Sequence, residues 1–156
     1  MTPKPPSESV TETVHVVLPN DANPLGFILG GTVMHLIDIT GAIACHRHTN
    51  SLALTAGVDS LDFLHPIKVG DMIILKSRVT CTFRTSVEVE VDVFSEAITT
   101  GERKLTSRAY LTFVALDKNG NPKPVPPLAI ETPEDEQRCR DAQQRRAERL
   151  ARKARG

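Results

Sequence analysis

Apolar and polar residues alternate in several short stretches of the first 120 residues. The clearest stretch is 87–98, which begins with four valines at every second position, separated by glutamate or aspartate. A period of two is typical of a β-strand with one buried face. The same pattern predicts four further strands, over residues 10–17, 52–64, 72–83 and 104–116.

Only short turns separate the last three predicted strands. Residues 84–86 join the strand 72–83 to the strand 87–98. Residues 99–101 join the strand 87–98 to the strand 104–116. A connection of about three residues is too short to cross over a sheet. These strands are therefore expected to form antiparallel hairpins.

One long apolar stretch interrupts the strand pattern. Between Gly31 and His48, apolar residues recur at helical spacing, and nearly every face of the predicted helix is apolar. Such a helix has to be covered by other structure. With one strand before the helix and four after it, the predicted fold class is α+β, one long helix packed on an antiparallel sheet.

Asp38 is the one acid in this apolar helix, and it lies between Ile37 and Ile39. A carboxylate in such a place costs free energy unless it is hydrogen-bonded, paired or open to a cleft, so it is a candidate functional group. Taken alone, a helix aspartate is more often structural. Gly30 and Gly31 begin the helix, where free N–H groups and the helix dipole favour a negative oxygen; the pair can equally serve close packing.

Both ends of the chain differ from this domain, which we assign to residues 9–120. Residues 1–8 are polar and rich in proline, and we predict a disordered arm. Residues 121–156 are predicted to form a proline-rich connector and then a helix that begins at Thr132-Pro133 with acids in its first turn. From Pro133 onward there are eight bases and five acids, so we expect a basic, solvated helix.

Composition excludes some classes of function. The whole chain carries 19 bases and 19 acids, so its charge gives no reason to expect a nucleic-acid partner. No apolar run reaches the ~20 residues that span a bilayer, and the first residues have no apolar core typical of a secretory signal. Three scattered cysteines form no zinc motif and fit a reducing compartment. We therefore expect a cytoplasmic protein with no membrane partner.

Several motifs in combination resemble one known family. They are the loop Leu18-Pro19-Asn20-Asp21-Ala22-Asn23-Pro24-Leu25-Gly26, then Gly30-Gly31, then Leu36-Ile37-Asp38 with Gly41-Ala42. Residues 58–63, 66–71 and 84–91 extend the match. Over about residues 10–118 the chain resembles the hotdog-fold acyl-CoA thioesterases, in the acyl-CoA hydrolase branch. Pro24 and Phe27 depart from the family's usual residues, and they bear on acyl-chain preference.

This resemblance implies hydrolysis of an acyl-CoA to a free carboxylic acid and CoA, with no metal and no cofactor, CoA being substrate and product. It implies a catalytic asparagine and acid contributed by different protomers of a dimer, here Asn23 and Asp38. Such dimers often assemble into hexamers, as trimers of dimers. The CoA arm is expected to run between protomers, near Val58, Asp59 and Ser60 and near the turn Arg84, Thr85 and Ser86.

The chemistry of thioester hydrolysis fits these residue types. Asp38 can act as a general base on water, or attack the carbonyl itself and form an anhydride; the sequence leaves both routes open. Amide groups of Gly30 and Gly31 can hold the developing oxyanion. The amide of Asn23 can orient water or the carbonyl, although an isolated asparagine in a loop is usually a turn residue.

Other reactive side chains have ordinary structural interpretations. His46 and His48 are two apart on a helix and point to different faces, so they are poor metal co-ligands. Cys45 and His48 can meet, but no third group is evident to orient them. His35 lies three residues before Asp38 and can hydrogen-bond it, although a structural or interface histidine is the more common case.

Three competing functions stay open at this point. A non-catalytic sensor of CoA or acyl-CoA would use the same cleft without hydrolysis. The basic C-terminal helix would support binding of a polyanion. A hydratase of the same fold is a further alternative, but the chain lacks the Asp-to-His catalytic spacing of that family.

Overall fold

The computed structural model describes residues 1–59 and 61–156. Within these residues, seven principal elements follow one another: β1 (Thr11–Val16), α1 (Gly30–Thr49), β2 (Leu52–Asp59), β3 (Met72–Thr82), β4 (Ser86–Glu96), β5 (Arg103–Leu116) and α2 (Pro133–Arg155). Single 3-10 turns occur at Pro6–Glu8 and Pro19–Asp21. One long helix on an antiparallel sheet confirms the predicted fold class.

The five strands form one antiparallel sheet in the order β1-β3-β4-β5-β2. The hairpins β3–β4 and β4–β5 are those that the short turns predicted. Strands β1 and β2 form the two edges. The pairing of β2 with β5 shifts register between Thr55 and Gly57, and this irregularity lies beside the site described below.

Helix α1 packs on one face of the sheet and supplies much of the core. Val33 and Ile37 of the helix are buried against the inward side chains of the strands. Gly41 allows a close approach, because a Cβ at this position would lie 3.4 Å from both the Phe113 ring and Val91. This packing explains the apolar face that α1 turns to the sheet, whereas Met34 and Ile39 on other faces of the helix are 46% and 44% exposed.

Helix α2 is solvated along most of its length, as predicted, but one narrow face packs on the sheet, which the sequence did not predict. Its start matches the sequence pattern, since the Thr132 hydroxyl accepts from the Asp135 amide and Asp135 accepts from the Thr132 amide. Beyond that start, α2 lies across the face of the sheet opposite α1, and Ala142 is buried there. Glu88, on the outward face of β4, is only 2% exposed as a result.

Residues 1–8 also differ from the predicted disordered arm. The Lys4 amide donates to the Pro127 carbonyl at 3.0 Å, and the Lys4 carbonyl accepts from the Ala129 amide at 2.8 Å. The Lys4 ammonium reaches Asn50 Oδ1 at 2.6 Å, and Pro6 is buried. The proline-rich connector thus holds the amino-terminal segment against the domain.

Cys81 on β3 and Cys139 on α2 form a disulfide, a pairing that their separation along the sequence did not predict. The bond links positions 58 apart and fastens α2 to the sheet. Cys45 is free and buried. The expectation that all three cysteines are reduced is therefore not met, because the packing of α2 on β3 brings two of them together. The cytoplasmic location stays a prediction.

Within residues 1–59 and 61–156, no helix is long and apolar enough to cross a bilayer.

Candidate functional site

Asp38 lies on the third turn of α1 and faces strand β2. Its Oδ1 accepts a hydrogen bond from the Thr55 hydroxyl at 2.7 Å. The aspartate is half-buried and Thr55 is exposed. One carboxylate oxygen is therefore held in place while the group stays open to solvent, which explains how an apolar helix accommodates this acid.

The carboxylate of Asp38 borders a cavity of about 330 Å³. Helix α1 contributes Gly31, Met34 and His35 to its lining, and each of these residues lies within about one helical turn of the next. The facing wall is mainly apolar and includes Thr55, Val58, Leu61 and Leu111. The cavity thus combines an oriented acid with an apolar surface that suits a hydrocarbon chain.

Asn23 lies in the loop before α1, where its own side chain shapes the backbone. Its Oδ1 accepts from the amides of Leu25, at 3.0 Å, and Phe27, at 3.2 Å. The acceptor oxygen is thereby occupied and the side-chain NH₂ group is left as a donor. Asn23 borders a second cavity of about 350 Å³, together with Gly30 and Phe63.

The first residues of α1 stand between the two cavities. Gly30 lines the Asn23 cavity, and Gly31 lines the Asp38 cavity. The amides of these two glycines have no acceptor in the part of the chain that the structure describes, as is usual in the first turn of a helix. Leu29, the capping residue, offers no side-chain acceptor, so both N–H groups are available to a ligand.

Within one chain, the two predicted catalytic residues are not brought together, because Asn23 and Asp38 border separate cavities. Apolar side chains that line the Asp38 cavity are exposed. Met34 on α1 is 46% exposed, and Val58 on β2 is 41% exposed. Exposed apolar side chains at a cavity are typical of a surface that a ligand or another protein chain covers.

The residues predicted to contact CoA lie in three different settings. Val58 lines the Asp38 cavity, whereas Asp59 points to the opposite face of β2 and pairs with Arg149 at 2.7 Å. Ser60 lies outside the described residues. Arg84 and Thr85 lie in the β3–β4 turn, Ser86 begins β4, and none of the three lines either cavity. The carbonyls of Arg84 and Thr85 accept from the amides of Val125 and Ala115.

Thr55 is the residue at this site that the sequence interpretation missed. The available signal was weak: a single hydroxyl in the otherwise apolar stretch from Leu52 to Ala56. Its role depends on the contact between β2 and α1, which the alternation of residues along one strand does not reveal.

The Cys45–His48 segment has structural contacts. Burial raises the pKa of the Cys45 thiol to about 11, which leaves a poor nucleophile. His46 Nδ1 donates to the Ser51 carbonyl at 2.9 Å, and His48 Nε2 donates to the Pro126 carbonyl at 2.7 Å. Burial lowers the pKa of His48. His35 lines the Asp38 cavity without a hydrogen bond to Asp38 in the described part of the chain.

Comparisons with known proteins agree with this architecture. The family model described as the thioesterase superfamily matches residues 25–102. A Bacillus subtilis protein named as an uncharacterized acyl-CoA thioester hydrolase, YkhA, is 44% identical over 137 residues, which is 88% of this chain and 80% of the relative.

Solved structures are similar over nearly the whole chain. An apo-hexameric acyl-CoA thioesterase is 42% identical, with a TM-score of 0.94 over 99% of both chains. An acyl-CoA hydrolase from Staphylococcus aureus, in complex with butyryl-CoA, CoA and CoA disulfide, is 36% identical, with a TM-score of 0.89 over 97% of this chain and 92% of that one. Structures of that enzyme also exist with alanine in place of an asparagine, an aspartate and a threonine.

Proposed function

The chain belongs to the thioesterase superfamily, and on that premise we propose that it hydrolyses acyl-CoA to a free carboxylic acid and CoA, with Asp38 as the central catalytic group. One observation carries the assignment of Asp38: its carboxylate is oriented by Thr55 and borders an apolar cavity. The substituted asparagine, aspartate and threonine of the S. aureus enzyme have the same spacing as Asn23, Asp38 and Thr55, which supports the choice of these residues.

Asp38 can catalyse hydrolysis of the thioester by two routes, and both give the same products. As a general base, it takes a proton from water, the hydroxide adds to the thioester carbonyl, and the C–S bond breaks. The CoA thiolate that leaves then takes up the proton. As a nucleophile, a carboxylate oxygen adds instead, the thiolate leaves, and water cleaves the resulting anhydride. Neither route needs a metal or a resident cofactor.

The amides at the start of α1 are proposed to stabilise the oxyanion. Gly30 and Gly31 have free N–H groups, and the helix dipole adds to their effect. Glycine lets the carbonyl oxygen approach the backbone closely. A preorganised donor of this kind contributes roughly 3 kcal/mol to stabilisation of the transition state.

We propose that each active site combines Asp38 of one protomer with Asn23 of another. The two residues border separate cavities within a chain, and the exposed apolar residues Met34 and Val58 line the Asp38 cavity; both observations suit a covering partner. The minimal unit is then a dimer. The hexameric neighbour supports a trimer of dimers.

The route of CoA is proposed to pass Val58, which lines the Asp38 cavity. Contacts of Ser60 and of Arg84, Thr85 and Ser86 with CoA stay predictions. We expect Asp59 to act through its arginine partner, because a bare carboxylate would repel phosphate.

Release of free thiol from acyl-CoAs of two to sixteen carbons tests the function. We expect hydrolysis by the unaltered protein, and a loss of about 10² to 10⁴ in kcat for Asp38→Asn, which keeps the size of the side chain and can still accept from Thr55. Asp62→Asn is the matched control, since Asp62 is exposed and outside both cavities. Near-normal turnover in folded Asp38→Asn would contradict the role of Asp38. Binding of CoA without thiol release at any chain length would favour a sensor.

A further inference from the structure

Helix α2 crosses the outer face of the sheet from β3 to the edge strand β2. Its contacts follow in order: Cys139 bonds Cys81 on β3, and Arg145 pairs with Glu88 on β4 at 2.8 Å. One turn later, Arg149 pairs with Asp59 on β2 at 2.7 Å. Because β2 is the last strand of the sheet, the residues after Arg149 lie at or beyond the sheet edge.

These last residues carry an unbalanced positive charge. We call Arg149, Arg152, Lys153 and Arg155 the basic end of α2; no acid occurs from residue 149 to residue 156. Among the residues that the structure describes, Asp59 is the one acid in contact with it, at 2.7 Å from Arg149 and 3.9 Å from Arg152. Arg152 is 60% exposed, and Lys153 and Arg155 have no acidic partner within residues 1–59 and 61–156. At 1.5 Å per residue, the helix continues about 9 Å past Arg149.

The arginines earlier in α2 each have a partner of their own, whereas Arg149 and Arg152 of the basic end share the single acid Asp59. Arg138 pairs with Asp135 and Arg140 with Glu136. Arg145 is held by Glu88, and the guanidinium of Arg146 lies 4.3 Å from the centroid of the Phe83 ring. Basic residues in the last turn of a helix also interact favourably with the helix dipole. The dipole does not, however, account for the contact between Arg149 and β2.

The basic end and the proposed active site share one strand. Val58 lines the Asp38 cavity, and the next residue, Asp59, holds Arg149 on the other face, as strand alternation requires. A ligand with its reactive part in the Asp38 cavity and a charged part beyond the edge of β2 would contact the proposed active site and the basic end of α2 at the same time. An acyl-CoA has this form, because a flexible arm joins its thioester to a diphosphate and a 3′-phosphate.

We propose that the basic end of α2 binds phosphate groups of the acyl-CoA, with Asp59 as a positioning residue that holds Arg149 at the edge of β2. This proposal rests on the proposed function for the identity of the ligand. Arginine suits phosphate because its guanidinium offers paired donors. Lys153 adds a point charge nearby.

The test compares two double variants of the full chain on two ligands. Arg152→Gln with Lys153→Gln removes two charges from the basic end, and Arg138→Gln with Arg140→Gln removes two charges near the start of the same helix. Glutamine preserves helix propensity in both. Each protein is assayed with butyryl-CoA and with S-butyryl-pantetheine, which has the thioester but no phosphate. Calorimetric titration with CoA is added.

We expect the variant at the basic end to raise KM for butyryl-CoA and Kd for CoA by about tenfold or more, as for loss of charge-assisted hydrogen bonds. Its kcat, and its kinetics on S-butyryl-pantetheine, should equal those of the unaltered protein, and the control variant should change neither. Unchanged KM and Kd for the CoA ligands would overturn the phosphate site and leave the hydrolase function intact. Absence of hydrolysis of both thioesters, with CoA binding still weakened by the variant, would overturn the hydrolase function and uphold the site.

Discussion

Two inactive variants of this protein should restore one another when they assemble together. The perturbation is Asn23→Ala in one chain and Asp38→Ala in the other. Asn23 and Asp38 border separate cavities of the same chain, so neither variant alone can form a complete site if each site draws on two protomers. A mixed dimer has one site that lacks both residues and one site that keeps both.

The size of the recovery follows from this geometry. Random association of equal amounts gives half mixed dimers, and one of the two sites in each is intact, so about a quarter of all sites should be active. A mixed species isolated with two different affinity tags should recover about half of the unaltered activity per dimer. The assay is continuous detection of free thiol from an acyl-CoA.

The control pairs Asp38→Ala with the double variant Asn23→Ala, Asp38→Ala. Its mixed dimers contain no Asp38, so they should stay inactive. Thermal melting and size measurement establish that all species are folded and assembled. Lack of recovery in the isolated mixed species would refute the shared site, and so would equal recovery in the control mixture.

Three further predictions test single contacts. Thr55→Val should lower kcat by about tenfold by removing the donor to Asp38, and Thr55→Ser should keep most of the activity; equal loss in both would contradict the hydroxyl's role. Reduction of the Cys81–Cys139 disulfide, or Cys139→Ser, should lower the free energy of unfolding in urea by about 4 kcal/mol for a loop of 58 positions; reductant should leave Cys139→Ser unchanged. His48 has a lowered pKa because it is buried, so the unfolded state binds its proton more readily. Stability should therefore fall as pH drops below the unfolded value of about 6.5, and a fall of the same size in His48→Gln would contradict this cause.

Local sequence signals account for most of the elements. Alternating valines predicted the strand 87–98, which the structure has as Ser86–Glu96, and helical spacing predicted 31–48, which it has as Gly30–Thr49. The second strand was predicted to extend to residue 64 and ends at Asp59. These patterns are readable because period and capping depend on neighbours within a few residues.

The candidate site was predictable only in part. Asp38 stood out because an acid within an apolar helix has few structural reasons to be there. Its hydrogen bond from Thr55 spans 17 positions and arises only when β2 packs beside α1. Arg149 was visible as a base in a helix, but its pairing with Asp59, 90 positions away, was not.

The sequence by itself determined an α+β fold with a long apolar helix, and a helix from Thr132 onward that its own capping residues start. The tertiary structure alone decided that this second helix covers the sheet, that Cys139 bonds Cys81, and that Asn23 and Asp38 face different cavities. The reason is physical. Periodicity and capping are set by bonds between near neighbours in the chain, whereas cavities, ion pairs and disulfides join surfaces that meet only after the chain has packed.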